Sequence, residues 1–274
     1  MPATDRPGLA KALAGGSFVL DAAMGTRLVA RGLDLTVDDP ALWAVDRPDE
    51  VARLHRLDVE AGSDALVTDT FGANAAWLAR FGRAAEAAAI NHQAAGLARL
   101  AAGLGRLVFG SIGPTASDDP GALRGQAEAL VSGRDPVDAL LLETFRLDRA
   151  EAALRLLRDV GVPVVASLYA WPAEVGEAAR RLVDAGAAAV GANCVVGMAA
   201  SLALVRAIRQ AGDAPIWLKP SAGLPGGAME PPRAFEEAAG ELVDLGVGLV
   251  GGCCGTTEAH VAALRRGLDR CRAG

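Results

Sequence analysis

Two cysteines stand side by side in "GGCCGTTEAH", Gly251 to His260, in a chain that has only four. Adjacent cysteines bridge each other only through a strained ring. Metal binding, redox chemistry and coincidental burial remain as explanations. A third cysteine, Cys194, lies far upstream in "GANC", and the fourth, Cys271, close to the C-terminus. No two of them form a C-x-x-C pair, so a zinc ribbon and a thioredoxin-type motif are unsupported. Three thiolates, one from one loop and two from another, are the ligand set of a catalytic zinc whose fourth position is open. Such a centre is formally anionic and suits holding a thiol better than polarising a carbonyl. Coordination releases the thiol proton at neutral pH, from a free pKa of about 8.5, and leaves the sulfur nucleophilic. The chemistry that follows is attack by sulfur on an electrophilic carbon.

For that to happen Cys194 must meet Cys253 and Cys254, and the elements around them say how. Short apolar runs alternate with longer amphipathic stretches along the chain, the pattern of repeated βα units. Eight strands are expected, at Phe18 to Asp21, Ala65 to Thr68, Leu107 to Ser111, Ala139 to Glu143, Val164 to Ser167, Ala188 to Ala192, Ile216 to Lys219 and Gly248 to Gly252. Helical patterns are clearest at Asp49 to Ala61, Asp148 to Val160, Met198 to Ala211 and Thr257 to Arg272. Gly161, Gly186 and Gly246 follow such patterns and suit left-handed helix ends. Eight units in about 250 residues point to one α/β domain, a closed (β/α)8 barrel spanning residues 1–274, with an open doubly wound sheet as the weaker alternative.

A barrel of this kind carries its chemistry at the C-terminal ends of its strands. Asp21 ends the first expected strand, "TDTF" with Asp69 and Thr70 the second, and Glu143 the fourth. Cys194 follows the sixth, "KPSAG" with Lys219 and Ser221 the seventh, and Cys253 with Cys254 the eighth. All converge on one face. Cys271, about four turns along the last helix, is expected to be remote. The three histidines, His55, His92 and His260, fall in helical patterns, with no H-x-x-x-H pair.

The composition, 51% hydrophobic and 22% charged with a net charge of -6, is that of a globular protein. Its arginines are spread over many helices, so neither a nucleic-acid nor a membrane surface is advertised, and a small-molecule partner is expected. The N-terminus lacks the apolar core of a secretory signal, and no run of about eighteen apolar residues occurs. A cytoplasmic location follows as an expectation.

The motifs "LDAAMGT", "VTDTF", "GSIGPT", "LLLETF", "GANC", "KPSAGLP" and "GGCCGTTEAH" occur in the order and approximate spacing of the homocysteine S-methyltransferase family, which the chain resembles from Asp21 to His260. The resemblance implies a barrel whose catalytic and zinc-binding cysteines are Cys194, Cys253 and Cys254. It implies that Glu143 binds the amino group of homocysteine, that the loop from Asp21 to Thr26 helps seat the amino acid, and that Thr70 and Ser221 belong to the substrate side. The implied reaction moves a methyl group onto homocysteine sulfur, forming methionine. Its donor would be S-methylmethionine, S-adenosylmethionine, a betaine-like compound, or methylcobalamin on a separate cobalamin-binding protein. No cobalamin or folate module is read in the 274 residues. Ser221 stands where the family commonly has an asparagine that can occupy the open zinc position, and Asp69 where many relatives carry asparagine. Ala22 replaces a frequent glycine.

Plainer readings accompany several of these residues. Asp21 and Glu143 could serve as a helix cap or ion-pair partner, and Lys219 could balance local charge or cap its strand end. Trp43, Phe71, Trp77, Tyr169 and Trp171 could line a site for a methylated cation or pack loops over the barrel mouth. Betaine enzymes of the family place an aromatic residue just after the "TF", where this chain has Gly72, which argues against betaine. Two other functions fit the cysteines: methylation of another small thiol, and a non-catalytic zinc-storage or redox-sensing barrel.

Overall fold

The computed structural model describes residues 7–115, 119–223 and 227–273. Eight parallel strands run β1 (Phe18–Val19), β2 (Ala65–Val67), β3 (Leu107–Ile112), β4 (Ala139–Phe145), β5 (Val164–Leu168), β6 (Ala189–Val196), β7 (Ile216–Ser221) and β8 (Val247–Val250). From β2 to β8 each strand pairs with the next in sequence, and β8 returns to pair with β1. No reversal of strand order occurs, so the open doubly wound alternative is excluded and the fold is a (β/α)8 barrel.

The seam between β1 and β2 is closed by carboxylates rather than by a regular ladder. Val19 N–H donates to Asp64 Oδ2 at 2.9 Å and Asp64 N–H to the Val19 carbonyl at 2.6 Å. Further along, Val67 N–H donates to Asp21 Oδ2 at 2.7 Å. β1 ends at Val19 and not at Asp21 as expected, although Leu20 N–H still bonds the Val250 carbonyl and Gly252 N–H the Asp21 carbonyl beyond it.

Side chains alternate along each strand as a barrel requires. In β4, Leu141 joins the barrel interior with Phe109, Val165, Trp217 and Leu249, while Leu140 and Leu142 face the helical layer. Phe109 and Trp217 meet edge to face with centroids 5.0 Å apart and fill the interior from opposite walls. The N-terminal helix, Pro7–Leu13, contributes Leu9 and Ala12 to this interior cluster.

The helical expectations hold at Pro48–Glu60, Met198–Gln210 and Glu258–Ala273. The helix expected to reach Val160 stops at Leu156, because the chain tightens into a turn in which Val160 N–H bonds the Leu157 carbonyl. Gly161, Gly186 and Gly246 all have positive φ, at 88°, 108° and 65°. Among the described residues no helix is long and apolar enough to cross a membrane.

Candidate metal centre and substrate pocket

Cys194, Cys253 and Cys254 come together at the C-terminal mouth of the barrel, their sulfur atoms all within 4.8 Å of one another. Cys194 and Cys253 Sγ lie 3.2 Å apart, closer than the adjacent pair Cys253 and Cys254 at 3.9 Å. All four cysteines are free thiols, and Cys271 is exposed on the last helix, outside the cluster.

Cys194 owes its aim to an irregularity. The β6–β7 register shifts between Asn193 and Val196, and Cys194 adopts φ of 61°, a conformation that turns its side chain off the regular alternation. β4 does the same at Thr144, with φ of 65° and a register shift between Leu142 and Phe145. Asn193 ties the two bulges together. Its Oδ1 accepts from Thr144 N–H at 3.0 Å and from the Ser167 hydroxyl at 2.8 Å, while its Nδ2 donates to Thr144 Oγ1 at 2.6 Å and faces Cys194 Sγ at 3.3 Å. The motif reading passed over Asn193, although a lone amide at the end of the apolar run "AAAVGAN" was the available signal.

The Cys253–Cys254 turn is held by backbone. Cys253 N–H donates to the Pro220 carbonyl at 2.7 Å, and Ala222 N–H to the Cys254 carbonyl at 2.9 Å. Thr256 Oγ1 donates to the Cys253 carbonyl at 2.7 Å and accepts from Ala23 N–H, binding the turn to the end of β1. The three sulfurs are too close to ionise independently. Hydrogen bonding to Cys253 holds the Cys194 thiol above its usual range, and hydrogen bonds from Cys194 and Cys253 draw Cys254 below it. Three sulfurs gathered this closely, with Cys254 drawn to the thiolate by the other two, fit a divalent cation that would ionise all three. Ser221 is buried beside it with an Oγ that makes no hydrogen bond of ordinary geometry, and it favours the Cys254 thiolate. A buried hydroxyl without a partner at a three-sulfur cluster also fits an absent ligand.

Glu143 ends at the same mouth. Its Oε2 accepts from the Ser111 hydroxyl at 2.8 Å, and burial pushes its carboxyl up to about 7 against the opposing pull of Lys219. Thr70 lies one step behind, fully buried: its Oγ1 donates to the Ser111 carbonyl at 2.6 Å and meets Thr68 Oγ1 at 2.6 Å. Gln126, unforeseen from the sequence, donates to the Thr70 carbonyl at 2.5 Å and completes the support.

Asp21 and Lys219 form a buried ion pair, with Nζ 2.6 Å from Oδ1. The other Asp21 oxygen takes Val67 N–H, so both are engaged within the protein. Burial works against the Lys219 charge, but Asp21 and Glu143 outweigh it and raise its pKa. Asp69 is buried with Oδ2 unpartnered, and burial, aided by nearby Asp39, pushes it up to about 8. At Gly72 an added Cβ would lie 2.7 Å from Asp39 Oδ1, so that carboxylate fills the space beside it.

Most of the aromatic side chains are committed elsewhere. Arg47 stacks on Trp43 and Arg80 on Trp77, at 4.6 and 4.4 Å, and their indole N–H groups donate to Asp38 and Asp39. Trp171 packs against the main core. Phe71 and Tyr169 remain 40% and 45% exposed. His260 belongs to the last helix, where Nδ1 accepts from Thr257 N–H and Nε2 therefore donates to the Glu230 carbonyl at 3.1 Å. His55 lies in the Pro48–Glu60 helix and His92 in the Ala87–Ala102 helix. Leu224 and Pro225 of the "KPSAGLP" stretch lie outside the described residues.

Comparison with known proteins agrees with this geometry. The chain is 32% identical to a methionine synthase of Mycobacterium tuberculosis over 89% of its length, but spans only 24% of that relative. It is 31% identical to betaine–homocysteine S-methyltransferase 1 of Mus musculus over 82% of its length, spanning 65% of the relative. The structure of the Escherichia coli homocysteine methyltransferase MmuM, oxidised form, superposes with a TM-score of 0.78 at 25% identity, covering 95% of this chain and 99% of the other. The family model described as homocysteine S-methyltransferase matches residues 18–268, nearly the whole barrel, and the chain belongs to that family.

Proposed function

We propose that the protein is a zinc-dependent homocysteine S-methyltransferase that transfers a methyl group to homocysteine to form methionine. The convergence of three sulfur atoms within 4.8 Å at the barrel mouth carries this reading. Cys194, Cys253 and Cys254 would hold the zinc, with water or the buried Ser221 hydroxyl as the resting fourth ligand. Zinc, when bound, keeps a coordinated thiol ionised at neutral pH.

The remaining work falls to the chain. Glu143 receives the substrate ammonium: a carboxyl raised to about 7 by burial regains its charge when a cation arrives beside it. Ser111 orients that carboxylate, and Thr70 positions Ser111 from behind. Asp21 acts through its pair with Lys219, bracing the loop that seats the amino acid. No side chain is needed as a general base, and catalysis comes from alignment of sulfur, carbon and leaving group.

S-methylmethionine and S-adenosylmethionine are the favoured donors, with methylcobalamin on a partner protein as a third. Betaine is disfavoured because Asp39 crowds Gly72, where an aromatic side chain would be needed. A non-catalytic redox-sensing barrel is the second reading, favoured by the 3.2 Å approach of Cys194 and Cys253. Zinc content under reducing conditions, followed by methionine formation from homocysteine across the donor panel, tests the assignment. Zinc-free protein with no activity toward any donor, free or protein-bound, would overturn it.

A further inference from the structure

A cavity of about 620 Å³ opens between the Pro120–Ser132 and Leu147–Leu156 helices, outside the cysteine cluster. Its walls are apolar: Leu123 comes from one helix, Ala153 and Leu156 from the other, and Phe145 from the end of β4. Pro114 and Tyr169 stand at the end nearer the barrel mouth, together with Thr144, whose hydroxyl holds Asn193 beside Cys194. The groove therefore touches the support of Cys194 through Thr144 but includes none of the three clustered cysteines.

Its lining is partly basic. The whole chain carries -6, yet Arg146 and Arg155 both line this groove. Among the described lining residues one carboxylate, Asp119, is present, and it is occupied in accepting N–H bonds from Gly121 and Ala122. The Arg146 side chain makes no hydrogen bond or ion pair among the described residues, and Arg155 acts on Glu151 only through space, lowering its pKa. Arg146 also starts the Leu147–Leu156 helix as an N-cap without a side-chain hydrogen bond, so the positive end of that helix adds to the field. Guanidinium groups at the rim of an apolar slot are a receptor for a flat body bearing an anion.

We propose that this groove binds a small molecule with a planar ring system and a carboxylate or phosphate, the ring between Leu123, Leu156 and Tyr169 and the anion on Arg146 and Arg155. The volume lies within the range of about 300–1,000 Å³ typical of small-molecule sites, enough for a nucleotide or an aroyl amino acid. The two sources share the chemistry that the groove recognises. The site is independent of the methyl-transfer assignment, so either can fail alone.

Tyr169 is the only tyrosine in the chain, so protein labelled with 3-fluorotyrosine gives one ¹⁹F resonance located in the groove. Full-length labelled protein is titrated with adenosine 5′-monophosphate, with N-benzoylglutamate, and with uncharged adenosine. A saturable shift with either anion, weaker with adenosine, supports the proposal, and the anion that acts identifies the source as phosphate or carboxylate. The double variant Arg146→Glu, Arg155→Glu, both positions on the surface, is expected to weaken that binding by about tenfold or more, as loss of charge-assisted contacts should. No shift with either anion at millimolar concentration, equal binding of adenosine, or unchanged affinity in the double variant overturns it.

Discussion

Asp21 and Lys219, nearly two hundred residues apart, form a buried ion pair 2.6 Å long at the floor of the cysteine mouth, and the second Asp21 oxygen closes the β1–β2 seam. Removing only the lysine leaves a buried carboxylate without its counter-charge. Lys219→Met is therefore expected to cost about 3–5 kcal/mol in urea unfolding, with much of that recovered in the Asp21→Asn, Lys219→Met double variant. A single variant as stable as the parent would show that the pair contributes nothing to the seam.

Asn193 holds Cys194 in its turned conformation from behind. Partners of metal ligands typically set affinity within a factor of about 10–100. Asn193→Ala should weaken zinc binding by that amount in chelator competition while leaving the stoichiometry at saturation unchanged. Parental affinity would reduce Asn193 to a structural staple of β4, β5 and β6.

Among the four thiols, three are expected to matter. Cys194→Ser should lose stoichiometric zinc and methyl transfer together, whereas Cys271→Ser, exposed on the last helix, should keep both. Elemental analysis beside a homocysteine methylation assay separates the outcomes. Full zinc content in the Cys194→Ser protein would remove this residue from the ligand set.

Glu143 is expected to act in binding. Glu143→Gln keeps the hydrogen bond from Ser111 but gives up the charge opposite the substrate ammonium, worth about 1.5–3 kcal/mol. The KM for homocysteine should rise by about tenfold or more, with a smaller change in kcat. A fall in kcat at unchanged KM would assign Glu143 to the chemical step instead.

Asp69 makes stability depend on pH in a predictable direction. Burial lifts its carboxyl from 3.8 to about 8, so the folded state holds a proton that the unfolded state has released between those values. Stability contributed by this group is present below pH 4 and is lost as pH rises toward 8. Asp69→Asn removes the dependence, and its stability advantage over the parent should grow from pH 5 to pH 8, reaching on the order of 2–4 kcal/mol. Unfolding curves at the two pH values check this, and a constant difference would mean that the carboxylate is paired in solution.

The repeated βα pattern was legible because it is local. Apolar runs such as Leu140 to Leu142 and helix-ending glycines such as Gly186 and Gly246 need no distant partner to declare themselves. The placement of Cys194, Glu143 and the two adjacent cysteines on one face followed from the strand count alone, since every parallel strand points its C-terminal end the same way. The aromatic residues were not legible in this way. Whether an indole face is open depends on what stacks upon it, and Arg47 and Arg80 had already taken the faces of Trp43 and Trp77.

By itself, then, the sequence determined the eight repeated βα units and the residue types at the C-terminal ends of their strands, because periodicity and strand polarity are properties of neighbouring residues, while the strand order that makes them a barrel came from the tertiary structure. Only the tertiary structure decided that Cys194 approaches Cys253 more closely than Cys253 approaches Cys254, that Asn193 aims the first of these, and that Asp21 is spent on Lys219 and the β1–β2 seam. Those relationships depend on bulges in β4 and β6 and on closure of the barrel, which bring together side chains far apart in the chain along directions that no local pattern encodes.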